Sequence, residues 1–258
     1  LNSLRTLVKD NSINCDWIES GIYHTAADNN SEIECDHFIN YLKKRDIRHV
    51  PLSKQEIHNH LGTSWYKKGV KVENGALMQP AKLVFGLADN LPSNVELYEN
   101  TPVLRMTLGK AVKVMVPDAI ITAEQVIMAC NYETFEGAKP KQRSVGVTLS
   151  GSITRALTND EVNTLGSESS WGILSLHSGG ATIRLTDDGR IAIRNTAEYN
   201  NHHLLTDKQL INRQQIHRQA FNNRFPQLSH VPFEFLYSGV EGVSANKTNI
   251  FERFSDNL

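Results

Sequence analysis

Apolar residues recur every three or four positions in several parts of the first ninety residues, which is the spacing of an amphipathic helix. The helices predicted there run from Leu4 to Val8, from Ser31 to Arg45 and from Pro80 to Leu91. Proline is tolerated in the first turn of the last one, and Pro92 ends it. Between them, Cys15 to Tyr23 has the pattern of a strand.

From Val95 onward the apolar spacing changes to every second residue, which predicts strands. Strands are expected over residues 112–116, 126–130 and 144–149, the second of them a buried strand that ends at Cys130. Ala181 to Asn195 alternates around an Asp188-Gly189 pair, so this segment is predicted to form a β-hairpin.

The last part of the chain returns to a helical pattern and then to a strand. Thr206 and Gln209 have capping-box spacing at the start of a long amphipathic stretch that Pro226 ends. A strand over residues 231–243 follows. Helices and strands are therefore intermixed, which favours an α+β (mixed α/β) fold.

Charge and composition limit the classes of function. The 27 Lys and Arg residues against 28 Asp and Glu give a net charge of -1, so no basic field attracts nucleic acid. No apolar run approaches the roughly 20 residues that a membrane span needs. The 3 cysteines lie far apart, which speaks against a disulfide framework or a zinc site and fits a reducing cytoplasm.

The sequence contains no motif that by itself identifies a catalysed reaction. It contains no Gly-x-Gly-x-x-Gly, no phosphate-binding Gly-rich loop with Lys, no Gly-x-Ser-x-Gly and no His-Glu-x-x-His. His58 with His60, and His202 with His203, could bind a metal, but neither spacing brings two rings together on a helix. Surface histidines are the preferred interpretation, and no metal is expected.

Two further sets of residues allow a chemical and a structural interpretation. Cys130 could be a nucleophile, but at the end of an apolar strand a buried small side chain is favoured. Arg184, Arg190 and Arg194 alternate along the hairpin, where a guanidinium could hold a carboxylate. From the periodicity alone, a solvated face of the sheet is the preferred interpretation.

Several segments, in order along the chain, resemble the D-amino-acid-oxidase-like FAD-dependent oxidoreductases. Gly75-Ala-Leu-Met-Gln-Pro-Ala-Lys-Leu-Val-Phe-Gly-Leu-Ala88 is similar to that family's Gly-x-Leu-x-Pro-x-x-Leu-x-x-Gly-Leu-Ala segment. Ile121 to Asn131 resembles its return to the flavin domain, and Arg184-Leu-Thr-Asp-Asp-Gly-Arg190 its hairpin. Phe225-Pro-Gln-Leu and Tyr237-Ser-Gly resemble its Phe-Pro-x-Leu and Trp-x-Gly.

The resemblance implies a function and a cofactor. It is nearest to the amine and γ-glutamylputrescine oxidoreductase-like subgroup, so FAD would accept a hydride from the carbon beside the nitrogen of a small amine or amino acid. The family's amino-terminal dinucleotide-binding motif and its last flavin loop have no counterpart in this sequence. We therefore expect a piece of a flavoenzyme that by itself binds FAD weakly or not at all and is inactive.

The resemblance also implies a domain division with a largely antiparallel sheet flanked by helices. A substrate-binding domain would comprise residues 15–77 and 140–237. The middle part of an FAD-binding domain would comprise residues 1–14, 78–139 and 238–258. The alternative is a non-catalytic module of the same fold that binds a small ligand or a partner protein.

Site residues follow from the same resemblance. Val103 would lie by the adenine end of FAD through its backbone, and Ala129, Cys130 and Asn131 would line the phosphate and ribose side. Arg184 and Tyr237 are the substrate-side candidates. The chain departs from the family pattern where Tyr237 replaces Trp, where Arg194-Asn195 replaces a Gly-Gly beside the flavin, and where Asn249 replaces Pro.

Overall fold

The computed structural model describes residues 1–131, 144–177, 180–200, 203–246, 248–251 and 253. The chain separates into two compact units, of which the first comprises residues 1–92, 149–197 and 205–238, and the second residues 93–148, 198–204 and 239–258. The predicted boundary at residues 139/140 lies outside the described residues. The assignment of a cofactor domain and a substrate domain stays a prediction.

Helices and strands alternate in the first part of the chain, and strands dominate the second. The helices are α1 (Asn2–Asp10), α2 (Asn29–Lys44), α3 (Lys54–Leu61), α4 (Pro80–Asp89), α5 (Asn159–Val162) and α6 (Asp207–Arg224). The strands are β1 (Ile22–Ala26), β2 (His49–Ser53), β3 (Lys68–Val72), β4 (Arg105–Thr107), β5 (Val112–Val116), β6 (Ala119–Ala123), β7 (Ser144–Thr154), β8 (Trp171–Ser175), β9 (Thr182–Leu185), β10 (Ile191–Glu198) and β11 (Phe233–Ser244).

Among the described residues, eight strands form one sheet in the order β11-β7-β10-β9-β8-β1-β3-β2. Strand β1 is parallel to β8, whereas the pairs β1–β3, β2–β3, β8–β9 and β9–β10 are antiparallel. This confirms the prediction of an α+β fold with a largely antiparallel sheet and flanking helices. In the described residues, no helix is both long and apolar enough to cross a membrane.

Local sequence signals explain where the elements begin. The predicted hairpin forms as β9 and β10, and Gly189 takes a φ of 72° in its turn. A positive φ is cheap only for glycine, so this residue determines where the strands reverse. Helix α6 begins at the predicted capping box, in which Thr206 and Gln209 each accept a hydrogen bond from the other's backbone N–H.

The main core of the first unit lies between the sheet and α6. Trp171, Ile183 and Ile193 from the strands are fully buried against Phe221 and Phe225, which lie on α6 and at its end. The aromatic rings stack, with the Trp171 and Phe225 centroids 5.8 Å apart. This packing fixes one side of strands β8 to β10 against the helix and leaves their alternate residues on the opposite side.

Helix α4 shows why its glycine is needed. A Cβ on Gly86 would lie 2.3 Å from Ile13 Cγ2, so only glycine allows the helix to approach the loop after α1. Leu83 and Leu87 pack partly against Val8 and its neighbours. The predicted apolar face is only partly covered, because Val84 is 62% exposed.

The second unit contains a small antiparallel meander, β4-β5-β6. Met106, Val112, Val114 and Val116 form its core. The prediction of a buried strand over residues 126–130 is wrong, because these residues are in no regular element and Ile127 is 90% exposed. The strand predicted at Cys15 instead begins at Ile22, preceded by a single bridge between Ile18 and Leu77.

Candidate functional site

Arg184 lies on the side of the sheet that faces away from α6, which we call the Arg184 side. Its neighbours on β9, Ile183 and Leu185, are buried in the core under α6, whereas Arg184 is exposed. Successive side chains of a strand point to opposite faces, so the burial pattern fixes the direction of the guanidinium. The periodicity that predicted a solvated arginine face therefore describes Arg184 correctly.

Arg194 lies on the same side, one strand away. The register of the β9–β10 pair places Ala192 opposite Arg184 and Thr182 opposite Arg194. The two arginines are thus diagonal neighbours, a spacing that long side chains can bridge. The Arg194 Nη2 group donates a 2.6 Å hydrogen bond to the Thr182 hydroxyl, which holds the guanidinium in one position.

Tyr237 of β11 lies over Gly151 of β7 on the Arg184 side. A Cβ on Gly151 would be 2.6 Å from the Tyr237 hydroxyl oxygen, so the missing side chain makes room for the phenol. The flanking Ser150 and Ser152 point the other way, toward His217 on α6. This contact fixes the side of the sheet that Tyr237 occupies.

Tyr237 is also coupled electrostatically to both arginines. Its burial raises the pKa of the phenol, and the positive charges of Arg194 and Arg184 act in the opposite direction. The residue is 39% exposed. The structure therefore places Arg184 and Tyr237, the two predicted substrate-side residues, on the same side of the sheet as Arg194.

An apolar group adjoins this polar set. Strand β9 lies between β8 and β10, and Gly172 of β8 pairs with Arg184 in the β8–β9 register. A Cβ on Gly172 would lie 2.9 Å from Leu77 Cδ2 and 3.4 Å from Ile22 Cδ1, so these two side chains cover the glycine. In the part of the chain that the structure describes, no carboxylate forms an ion pair with Arg184 or Arg194.

The predicted cofactor residues belong to the second unit. Val103 is half-buried against the core of the meander. Ala129, Cys130 and Asn131 lie outside every described helix and strand. Asn131 takes a φ of 59°, and its side chain accepts from the Gly242 N–H at 2.9 Å and donates to the Val240 carbonyl at 3.2 Å.

These contacts bear on whether the residues suit FAD. The Asn131 amide is used to hold residues 129–131 against β11, so its polar atoms serve the protein rather than a ligand. Val103, Ala129 and Cys130 carry no charged group, and their segments are irregular, so a ligand there would be bound through the backbone. None of these four residues supplies a cation for the phosphates of FAD, so any contact to the phosphates would come from backbone N–H groups.

Two features of the site were missed by reading the sequence. The hydrogen bond from Arg194 to Thr182 and the packing of Tyr237 on Gly151 join different strands, so no short-range spacing reveals them. Cys130 is half-buried in an irregular segment, whereas Cys15 and Cys35 are buried and form no disulfide.

Metal binding has no support from the described residues. Among them, no group of three or more His, Cys, Asp or Glu side chains could hold an ion. His58 is instead within 3.2 Å of the Ser64 hydroxyl, and His60 lies 3.4 Å from Glu168 Oε1. His202 lies outside the described residues.

The family is decided by a match that runs over the whole sequence. A family model described as FAD dependent oxidoreductase (DAO) matches residues 1–258. The chain belongs to the DAO family of FAD-dependent oxidoreductases. A comparison with curated proteins finds no match.

Solved structures of other proteins superimpose on this chain and share its fold. Glycine oxidase from Geobacillus kaustophilus superimposes with a TM-score of 0.80 at 12% identity, over 99% of this chain and 68% of that one. L-proline dehydrogenase from P. horikoshii superimposes with a TM-score of 0.79 at 14% identity, over 99% of this chain and 70% of that one. L-amino acid deaminase from Proteus vulgaris superimposes with a TM-score of 0.70 at 11% identity, over 96% of this chain and 70% of that one. At these identities the likeness establishes the fold alone.

Proposed function

We propose that this DAO-family chain takes part in the FAD-dependent oxidation of a C–N bond in a small amine or amino acid. The observation that carries the proposal is the combination of a family match over residues 1–258 with Arg184 and Tyr237 on one side of the large sheet. The solved structures with this fold include proteins named glycine oxidase and L-proline dehydrogenase, which supports this reaction class.

The roles of the chain's residues follow from their chemistry. When bound, FAD supplies the acceptor for a hydride from the carbon beside the substrate nitrogen. Arg184 would bind and orient an anionic or polar group of the substrate through its planar fork of donors. Tyr237 is protonated at neutral pH, since burial raises the pKa of its phenol above the ordinary value, which is already well above 7, so its hydroxyl would donate a hydrogen bond.

Within the second unit, the backbone of Val103 would lie by the adenine end of FAD, and Ala129 and Cys130 would line its phosphate and ribose side. Asn131 would position that segment by its two hydrogen bonds to β11. We further propose the amine and γ-glutamylputrescine oxidoreductase-like subgroup, which the sequence segments around Gly75 and Arg184 support.

A cytoplasmic location is part of the proposal. Cys15 and Cys35 are buried and form no disulfide. Burial raises the pKa of both thiols, so they stay protonated and unreactive. Unpaired cysteines of this kind fit a reducing compartment.

The test is the visible absorption spectrum of the protein, with and without added FAD, for this chain and for the same chain within its complete reading frame. A flavin spectrum in the complete protein that small amines or amino acids bleach would support the proposal. Absence of flavin from both would overturn it and would favour the non-catalytic binding module.

A substitution separates binding from folding. Arg184→Met should weaken substrate binding about 10- to 100-fold, because charged hydrogen bonds contribute roughly 1.5–3 kcal/mol. Arg105→Met is the matched control, since Arg105 is also an exposed strand residue but lies in β4 of the other unit. Equal effects of the two substitutions would remove Arg184 from the site.

A further inference from the structure

A groove of about 660 Å³ lies between α6 and the beginning of β11, where Pro232 and Phe233 form its wall opposite the helix. That volume is within the range of small-ligand pockets. Helix α6 packs on the side of the sheet that faces away from Arg184. None of the residues assigned above to the substrate or to FAD lines the groove, so it is separate from the site of the proposed function.

The lining of the groove is polar, but no carboxylate contributes to it among the described residues. Its side chains are five amides, one guanidinium (Arg218) and the two apolar residues of β11 and its approach. The amides are Gln214, Gln215, Gln219, Asn222 and Asn223. Residues three and four positions apart share one face of a helix, so the sequence of α6 places these amides around one cation.

Arg218 is held in place by three contacts. Its Nη1 group donates a 2.8 Å hydrogen bond to the Val231 carbonyl. Its Cζ atom lies 3.8 Å from the centre of the Phe233 ring and 5.5 Å from that of Phe221. The hydrogen bond uses one of the five guanidinium N–H donors and leaves the others. A side chain fixed in this way loses less conformational entropy when a ligand binds.

The charge of Arg218 is not balanced by an anion. Arg155 and Arg190, on the same unit, each form an ion pair with a carboxylate. In the part of the chain that the structure describes, no carboxylate pairs with Arg218, and burial lowers the pKa of its guanidinium. Removing a cation from water without a counterion is unfavourable, and aromatic rings offset this only in part. An anion in the groove would supply the missing charge.

Asn222 adds a second requirement. Its Oδ1 atom is buried and accepts no hydrogen bond from the described residues. A buried acceptor is stable only when a donor reaches it, and a bare anion has no donor to offer. A hydroxyl group donates and accepts, as the neighbouring amides do, so it suits both Asn222 and its surroundings. The ligand that fits the groove therefore carries an anionic group together with hydroxyl groups.

We propose that this groove binds a phosphate monoester of a polyhydroxylated compound, a sugar phosphate by chemical class. Arg218 and the amide of Gln219 hold the phosphate, and Asn222 accepts a hydrogen bond from a hydroxyl. A phosphate monoester presents three strong acceptor oxygens, which matches a guanidinium surrounded by amide donors better than the two oxygens of a planar carboxylate do. The inference does not depend on flavin or on the oxidation proposed above.

The experiment measures affinity by isothermal titration calorimetry and location by NMR. The ligands are glucose-6-phosphate, glucose, inorganic phosphate and glucuronate, so that each part of the proposed ligand is also tested alone. The protein is labelled with ¹⁵N in its arginine side chains, and the Nε resonance of Arg218 is assigned by its loss in Arg218→Lys. Glucose-6-phosphate should shift this resonance and should bind at least about tenfold more tightly than glucose or glucuronate.

Three substitutions separate the two parts of the groove. Gln219→Glu, at an exposed helix position, places a carboxylate beside Arg218 and should weaken glucose-6-phosphate and inorganic phosphate at least about tenfold. Asn222→Ala should weaken glucose-6-phosphate and leave inorganic phosphate unchanged. Gln55→Glu is the matched control, since Gln55 is an exposed amide of α3 that does not line the groove.

A purely structural Arg218 gives a different result. Its Nε resonance would then stay in place when glucose-6-phosphate is added, and Gln219→Glu would change the affinity no more than Gln55→Glu does. Either observation overturns the inference, as does equal affinity for glucose and glucose-6-phosphate or tighter binding of glucuronate. Because Gln219 is exposed, its variant tests the site even if Arg218→Lys does not fold. A flavin that amines bleach would still support the proposed function.

Discussion

The phenol of Tyr237 rests on the backbone of Gly151, where a Cβ would stand 2.6 Å from its hydroxyl oxygen. The same Cβ would stand 2.7 Å from the carbonyl oxygen of Ile193, which is backbone and cannot swing aside. The glycine therefore sets both the position of Tyr237 and the close approach of β7 to β10. The sequence of either strand alone does not predict these contacts.

Gly151→Ala should destabilise the protein by about 1–3 kcal/mol, the usual cost of overpacking, and should displace Tyr237. Urea unfolding gives the stability, and the fluorescence and NMR shifts of tyrosine give the displacement. Gly239→Ala is the control in β11, because nothing lies within 4 Å of its Cβ position. If Gly151→Ala lowers the free energy of unfolding no more than Gly239→Ala does, the close contact is contradicted.

His217 should make the protein less stable in mild acid. The ring is fully buried on α6, and its Nδ1 lies 2.8 Å from the Ser152 hydroxyl. Burial, with a smaller effect of Arg213, lowers its pKa from 6.5 to about 4. The folded state therefore binds this proton less readily than the unfolded state, so stability is full above pH 6.5 and falls as the pH drops toward 4.

The loss from this one group should reach about 3 kcal/mol near pH 4. Urea unfolding at pH 7 and at pH 5 for the native protein and for His217→Gln measures it. The variant should show a smaller difference between the two pH values, whatever its stability at pH 7. The remaining slope would include His24, whose pKa is also lowered by burial. An unchanged slope would show that His217 is not buried as a neutral ring.

Glu161 should be the most sensitive carboxylate in the first unit. It forms two 2.7 Å hydrogen bonds with Arg155, accepts from the Thr158 N–H at 2.8 Å and lies 2.8 Å from His230 Nε2. The Arg155 guanidinium holds the pKa of this carboxyl well below its usual range, and the Thr158 and His230 contacts act in the same direction. Its contribution is therefore present above pH 4.5 and is lost as the pH falls below that value.

Glu161→Gln should cost about 1.5–3 kcal/mol at pH 7 and less in acid, because the charge that strengthens these bonds is removed. Thermal unfolding at pH 7 and at a pH below 4.5 measures the change. Glu34→Gln is the control, since Glu34 is exposed and makes only a 3.9 Å contact with His37. A Glu161→Gln cost equal to that of the control would contradict the network.

The sequence predicted the elements whose signals are local. The turn at Gly189 and the capping box of Thr206 and Gln209 are contained in a few consecutive residues, and the structure confirms both. The predicted strand ending at Cys130 failed, because an apolar run of five residues does not by itself distinguish a buried strand from an irregular segment.

The candidate site could be predicted only in part. Arg184 and Tyr237 came from the resemblance to a family, and their location on one side of the sheet came from the structure. The role of Thr182 in holding Arg194 depends on the register of the β9–β10 pair, which places residues 12 positions apart in contact. Through-space relationships of this kind are absent from any spacing along the chain.

The measurement that tests the central claim most directly is anaerobic titration of the FAD-loaded protein with small amines and amino acids. The account predicts that the visible flavin band is bleached by a compound that carries hydrogen on the carbon next to its nitrogen, and that Arg184→Met shifts this bleaching to higher substrate concentration. A flavin that no amine or amino acid bleaches, in a folded protein, would contradict the account.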